Sequence, residues 1–142
     1  MRIDEALLAT RSTSEVATFY RRLGCRVHGE PDRVSVRIGT SRLTFVQEDF
    51  AGSLHLAFTI PTGAFGEARR WLTRQQPLLV ADGRDEFEGP KGWDSRSLYF
   101  DGPDGQVLEL IERRALPGRI ARPFTAADLV CVSEIGVVVP DV

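Results

Sequence analysis

The order of elements in this chain is read twice, and that repetition restricts the fold more than any single motif. Residues 4–10 form a short, mostly apolar run rich in Leu and Ala. Ser12 with Glu15 makes a capping-box pattern, and Val16, Phe19, Tyr20 and Leu23 recur at helical spacing until Gly24. A helix beginning at Ser12 leaves the run before it to be a strand. Arg33–Ile38 then alternates, with Val34, Val36 and Ile38 on one face and Ser35 and Arg37 on the other. Residues 39–41 turn the chain into a further strand at 42–47, and residues 25–28 could supply a short one before it. Residues 48–53, with Gly52 among them, read as a joint.

After the joint the order restarts. Residues 54–60 are a β-type run, Pro61 and Thr62 offer a helix start, and Phe65, Ala68, Trp71 and Leu72 mark a buried helical face that stops before Pro77. Residues 78–81 read as a short strand. A long, polar, Gly-rich loop follows at 82–95 and carries Trp93; loops of that length inside compact domains often line or cover a site. Aligning the two helices sets Glu5 against His55, about 50 residues apart, within the range of periods in which repeats are sought. Aligning the closing strands sets Thr44 against Glu109, and the long loop accounts for the extra residues between them.

The second block closes in a hairpin over residues 97–111, with Gly-Pro-Asp-Gly between alternating strands. Pro103 suits the first central position of a type I turn, Asp104 the second, and Gly105 the left-handed position after it. That register sets Gly102 against Gln106 and Tyr99 directly opposite Glu109, close enough for their side chains to interact. The last strand is apolar on both faces, so Glu109 projects into buried space, where a bare carboxylate is costly. It needs a cation, a proton or several donors.

Composition sets outer limits. The 142 residues, 42% of them hydrophobic, suffice for one domain or for two small repeats sharing a core. Eighteen basic residues against 20 acidic give a formal net charge of −2 with no long block of either sign, which argues against a nucleic-acid or anionic-membrane partner. Cys25 and Cys131 lie far apart and outside any C-x-x-C pair, as expected of reduced thiols; Cys25 with His28 would be half a metal site without a visible second half. No signal segment or membrane-length apolar run occurs, so a cytoplasmic protein is expected.

The tail differs from both blocks. Leu116, Pro117, Gly118, Arg122 and Pro123 have the character of a linker, and an apolar run at 130–139 ends in Pro140-Asp141. That run either docks as an extra strand or opens a further module. The expected organisation is therefore residues 1–50 as a first module, 51–113 as a second, and 114–142 as linker and terminal strand.

Candidate chemistry gathers on one strand face. Within 54–60 the bulky residues Leu54, Leu56, Phe58 and Ile60 share one side, whereas His55, Ala57 and Thr59 share the other, small and polar enough to line a cavity. A lone strand histidine is more often structural than a ligand, but here its repeat partner is Glu5 and a buried carboxylate, Glu109, is expected nearby. Imidazole and carboxylates converging in one cleft suit a divalent first-row metal. Taken alone, Glu109 could equally be a protonated acid or the partner of a buried arginine, Glu5 could face solvent, and Tyr99 could be a packing aromatic. Across from Glu109, Tyr99 could also donate a proton or a hydrogen bond to a substrate.

These residues resemble the glyoxalase, bleomycin-resistance and ring-cleavage dioxygenase superfamily, the vicinal oxygen chelate proteins. The resemblance rests on Phe19-Tyr20-Arg-Arg-Leu-Gly24, on His55-Leu-Ala-Phe58, and on Tyr99-Phe-Asp-Gly-Pro-Asp-Gly105 leading into Leu108-Glu109-Leu110. It implies an α+β fold of two βαβββ modules whose mixed sheet curls around an open cleft, commonly with a metal at its base. By the same resemblance His55 and Glu109 fall on metal ligands, Glu5 falls where extradiol dioxygenases place another histidine, and Tyr99 falls on a tyrosine that hydrogen-bonds substrate. Thr44 stands where a glyoxalase I would carry a further ligand. The implied protein is a metal-dependent enzyme resembling extradiol dioxygenases, with Fe(II) or Mn(II), or else Ni(II) or Zn(II), chelating vicinal oxygens of a small substrate, and pairing as a homodimer. The alternatives are a glyoxalase-like lyase or isomerase, a metal-free binding protein of the bleomycin-resistance kind, and a degenerate module whose terminal strand serves in assembly.

Overall fold

The computed structural model describes residues 2–114 and 122–139. Leu116, Pro117 and Gly118 of the expected linker, and Pro140-Asp141 of the tail, lie outside the described residues.

The first sheet has four strands, β1 (Glu5–Thr10), β2 (Arg26–Glu30), β3 (Arg33–Ile38) and β4 (Ser41–Gln47), in the order β1-β4-β3-β2. Helix α1 (Thr13–Leu23) connects its first two strands. The second sheet takes β5 (Ser53–Ile60), β6 (Phe87–Glu88), β7 (Ser95–Asp101), β8 (Val107–Arg113) and β9 (Cys131–Val138), in the order β6-β7-β8-β5-β9. Helix α2 (Phe65–Thr73) follows β5. One plan underlies both sheets: the opening strand runs parallel to the closing strand, β1 with β4 and β5 with β8, and the strand before the closing one is antiparallel to it. The fold is α+β, with two mixed sheets that do not close into a barrel.

Helix α1 begins and ends where its sequence dictates. The Ser12 hydroxyl accepts the Glu15 N–H at 3.1 Å, and Gly24 turns left-handed at φ 103°, where a side chain would be strained. Val16, Phe19, Tyr20 and Leu23 are buried with Val34, Val36, Leu43 and Phe45 in one core cluster that also takes in Leu56, Phe58 and Ile60 of β5. Each such side chain contributes about 1.5–3 kcal/mol by leaving water.

Helix α2 starts later than the Pro61-Thr62 signal suggests. The chain first turns, with the Ala64 N–H donating to the Pro61 carbonyl, and Ala64 at the N-cap offers no side-chain acceptor. A distant residue holds the turn before the helix. The Glu112 carboxylate, 2% exposed, accepts the Gly63 N–H at 2.7 Å and pairs with Arg96 at 2.9 Å, while the Arg96 guanidinium lies 4.0 Å from the centre of the Phe65 ring.

Residues 78–81 are not the strand expected of them. Among the described residues the Leu79 N–H is the one backbone group of this stretch bonded to β7, donating to the Tyr99 carbonyl, and the chain then turns through Ala81 and Arg84. The edge of β7 is taken instead by β6, two residues from inside the long loop, paired with Arg96 and Ser97. The hairpin register is as expected, with Gly102 donating to the Gln106 carbonyl at 2.8 Å and Tyr99 opposite Glu109. Its turn differs: Asp104 adopts φ 54°, left-handed like Gly105. The carboxylate of Asp104 explains the departure, because it accepts the Thr10 hydroxyl and the Arg11 N–H, both at 2.9 Å, and binds the Arg11 guanidinium. Burial alone would raise the Asp104 carboxyl, but those donors from Arg11 and Thr10 outweigh it and hold it below its ordinary value.

The terminal run docks as an extra strand. β9 lies antiparallel along the free edge of β5, and Val132 also bridges to Ile3 beside the first sheet. Among the described residues no helix is long and apolar enough to cross a membrane.

Candidate functional site

The face of β5 turned away from the core carries His55, Ala57 and Thr59. In register, Ala57 sits beside Glu109 of β8, which sits beside Tyr99 of β7. His55 and Ser97 are then diagonal neighbours of Glu109 on either side, within reach of its two oxygens. His55 Nε2 stands 3.0 Å from Glu109 Oε1, and the Ser97 hydroxyl donates to Oε2 at 2.6 Å. The Glu109 carboxylate, 5% exposed, is thus fixed at both ends.

Tyr99 completes this group. Its ring lies 6.2 Å from that of His55 at an interplanar angle of 30°, and Phe87 meets it edge-on at 5.5 Å. The residues border a cavity of about 250 Å³ whose wall includes Trp93 of the long loop and Glu134 of β9. The loop is pinned over this end of the sheet by Arg114, which reaches Glu88 at 3.2 Å and Asp94 at 2.9 Å, and by Arg69 bound to Asp85 at 2.8 Å. Residues 82–95 therefore line the site, as their length and composition suggest. Trp93 is half exposed at the cavity's edge.

The electrostatics follow from that packing. The hydrogen bond to Glu109 raises the His55 imidazole above its ordinary value; burial opposes this, and the charges of Glu109 and Glu134 add to the rise. Burial raises the Tyr99 phenol, and the Glu109 charge pushes it further in the same direction. At neutral pH Tyr99 is accordingly a proton donor, not a phenolate.

Of the residues singled out in the sequence, the structure brings together His55, Glu109 and Tyr99. Glu5 lies elsewhere: it is exposed on β1 with its carboxylate bound by Arg42, and it does not line the cavity. Thr44 sits on the open face of the first sheet, with Ser35 at 3.2 Å. Cys25 and Cys131 are free thiols, and burial pushes Cys25 up to about 12, the state of an inert packing thiol. Sequence reasoning missed two members of the site. Ser97 was open to discovery, because the hairpin register alone puts it on the same face as Tyr99, diagonal to Glu109. Glu134 carried no signal, because it enters only through the docking of β9, where the register slips between Ala57 and Phe58 and aims Glu134 at the cavity.

Among the described residues no three His, Cys, Asp or Glu side chains come close enough together to hold an ion. His55 and Glu109 nevertheless fit a first-row divalent metal in their donor chemistry, one imidazole nitrogen and one carboxylate oxygen on adjacent strands, and would supply two of its ligands.

No family model and no curated protein matches the sequence. Solved structures do match. A lactoylglutathione lyase from Agrobacterium tumefaciens superposes with a TM-score of 0.62 at 22% identity, over 79% of this chain and 93% of its own. The chain has the vicinal oxygen chelate fold. A glyoxalase/bleomycin resistance protein/dioxygenase from Nocardioides shares that fold at 18% identity and TM-score 0.57, over 85% of this chain and 90% of its own. Another of the same description, from Alicyclobacillus acidocaldarius, shares it at 16% identity and TM-score 0.57, over 78% and 90%. Identities this low establish the architecture alone. In the vicinal oxygen chelate fold of this chain β9 is an addition to the repeated plan, lying along the edge of β5 beyond the four strands that correspond to the first sheet.

Proposed function

We propose that this protein is a metal-dependent enzyme of the vicinal oxygen chelate kind, resembling ring-cleavage dioxygenases, and acting on a small substrate with adjacent oxygens. The observation that carries the reading is the His55–Glu109 pair, 3.0 Å apart at the wall of a cavity beside Tyr99. Fe(II) or Mn(II), or else Ni(II) or Zn(II), would be held by His55 Nε2 and Glu109 Oε1, and when bound would act as a Lewis acid toward substrate oxygens. Ser97 fixes Oε2 of Glu109, which leaves Oε1 to face His55 and the cavity. His55 must be deprotonated to ligate, and since Glu109 raises its pKa, metal and proton compete for it. Tyr99 stays protonated, so its hydroxyl can orient a substrate oxygen or donate a proton to it. The loop, with Trp93 at its edge, restricts water at this end of the sheet. Glu5 is left out of this ligand set because Arg42 holds its carboxylate. A lyase or isomerase of the glyoxalase kind would use the same pair and the same tyrosine. A homodimer in the cytoplasm is the assembly and location that fit this reading.

One observation favours a second reading. The Glu109 carboxylate is already satisfied by His55 and Ser97, and no third metal-binding side chain converges on it among the described residues. That arrangement suits a metal-free protein that sequesters a small molecule in the cavity.

The test is anaerobic reconstitution with each of the four metals, followed by oxygen uptake on a catechol panel and disappearance of a methylglyoxal–thiol adduct. The enzyme reading expects turnover with at least one metal, abolished in Glu109→Ala and reduced about 10²–10⁴-fold in Tyr99→Phe. Absence of turnover with every metal, together with ligand binding by metal-free protein, would replace it with the second reading.

A further inference from the structure

The outer face of the first sheet carries a charge pattern that the His55 site does not use. In register across four strands run Glu5, Arg42, Arg37 and Arg26. The next row on that face is Leu7, Thr44, Ser35 and His28, and the one after it is Ala9, Val46, Arg33 and Glu30. Arg26, Arg37 and Arg42 are all exposed and share a groove of about 410 Å³ with His28 and Ser35, rimmed by Glu30.

The first row breaks the ordinary rule for cross-strand pairs. Like charges directly opposite one another destabilise a sheet, and here Arg37 faces Arg26 on one side and Arg42 on the other. Carboxylates relieve only part of this face: Arg42 binds Glu5, and Arg33 binds Asp32 and Glu30. The guanidinium groups of Arg26 and Arg37 have no hydrogen bond or ion pair among the described residues. A local rule broken without a compensating contact is what a binding surface shows when its partner is absent.

We propose that this row is a second binding site, for a small polyanion with two or three phosphate or carboxylate groups. Adjacent strands lie about 4.8 Å apart, so three guanidinium groups in register span on the order of 10 Å and present forked donors at intervals of about 5 Å. A single anion satisfies one fork. A linear polyanion satisfies all three and removes the repulsion between them. The Ser35 hydroxyl of the groove lies in the next row and is engaged with Thr44, so the charge selectivity of the site comes from the arginines.

The probe is inorganic tripolyphosphate, compared with orthophosphate at matched ionic strength and with chelator present, by calorimetry and thermal shift. The proposal expects wild type to bind tripolyphosphate at least tenfold more tightly than orthophosphate. Arg26→Gln/Arg37→Gln should lose tenfold or more of that affinity, whereas the charge-matched control Arg74→Gln/Arg84→Gln and the variant His55→Ala should keep it. Without ligand, the Arg26/Arg37 variant should melt no lower than wild type, since it removes repulsion. Three results would overturn the proposal: equal loss in the charge-matched control, which means unspecific attraction; a lower melting point of the ligand-free variant, which means a structural role; or a concentration-dependent dimer dispersed by Arg37→Gln, which means that the face is covered by a second copy.

Discussion

The two sheets share a plan and differ in what happens to the face turned away from the core. On the first sheet that face is open, and its rows read as charges and hydroxyls in solvent. On the second, a long loop crosses one end and β9 extends the sheet at β5, so His55, Glu109 and Tyr99 face a cavity. The additions, not the repeated elements, convert that face of the second sheet into a cavity. The helices show the same contrast. Helix α1 is capped by its own neighbour, Ser12, while the turn that leads into α2 is held by Glu112, brought from β8 and paired with Arg96. A local cap survives on its own; a long-range one depends on the rest of the second sheet.

Removing β9 should have the largest effect. A chain ending at Arg114 loses Phe124, Leu129 and Val132 from the core and uncovers the edge of β5. At about 1.5–3 kcal/mol for each buried side chain, the loss rivals the whole stability of a domain of this size, about 5–15 kcal/mol. The expected outcome is a chain without a cooperative unfolding transition in thermal or urea melts. A cooperative melt near that of the full chain would show that β9 is ornamental.

Glu112→Ala should come next, costing about 1–3 kcal/mol in urea unfolding, because the Gly63 N–H loses its acceptor and Arg96, about a third exposed, loses its partner. Ser12→Ala should cost about 1 kcal/mol. If the two substitutions cost the same, the contrast between a locally and a remotely anchored helix fails.

The smallest effect is electrostatic. In metal-free protein the His55 imidazole should titrate above 6.5, its ordinary value, when followed by NMR, and should move downward in Glu109→Gln. The sign for stability follows from the raised folded value. The favourable contribution is fully present below the unfolded pKa and disappears as pH rises through the folded one. A wild-type titration at or below the ordinary value would break the His55–Glu109 pair as described.

Much of this was legible in the sequence because it is local. Capping at Ser12, the left-handed stop at Gly24, the alternation of Val34, Val36 and Ile38, and the hairpin register that sets Tyr99 against Glu109 all follow from neighbours along the chain. His55 could be assigned to a cavity because its strand is bulky on one face and small on the other. What was not legible depends on contacts distant in sequence. Asp104 turns left-handed for Thr10 and Arg11, residues 78–81 yield their edge to Phe87 and Glu88, and Glu134 reaches the cavity only after β9 slips register on β5. Glu5 shows the converse: the repeat pairs it with His55 in sequence, and its own sheet offers it Arg42.

The measurement that bears most directly on the second sheet as the functional centre is metal content per chain, by elemental analysis after anaerobic exchange with Fe(II), Mn(II), Ni(II) and Zn(II). It should be made on wild type, His55→Ala, Glu109→Ala and Glu5→Ala. The account predicts near-stoichiometric metal in wild type and Glu5→Ala, and its loss in the other two. Background metal in all four proteins, or metal retained without His55 and Glu109, would contradict it.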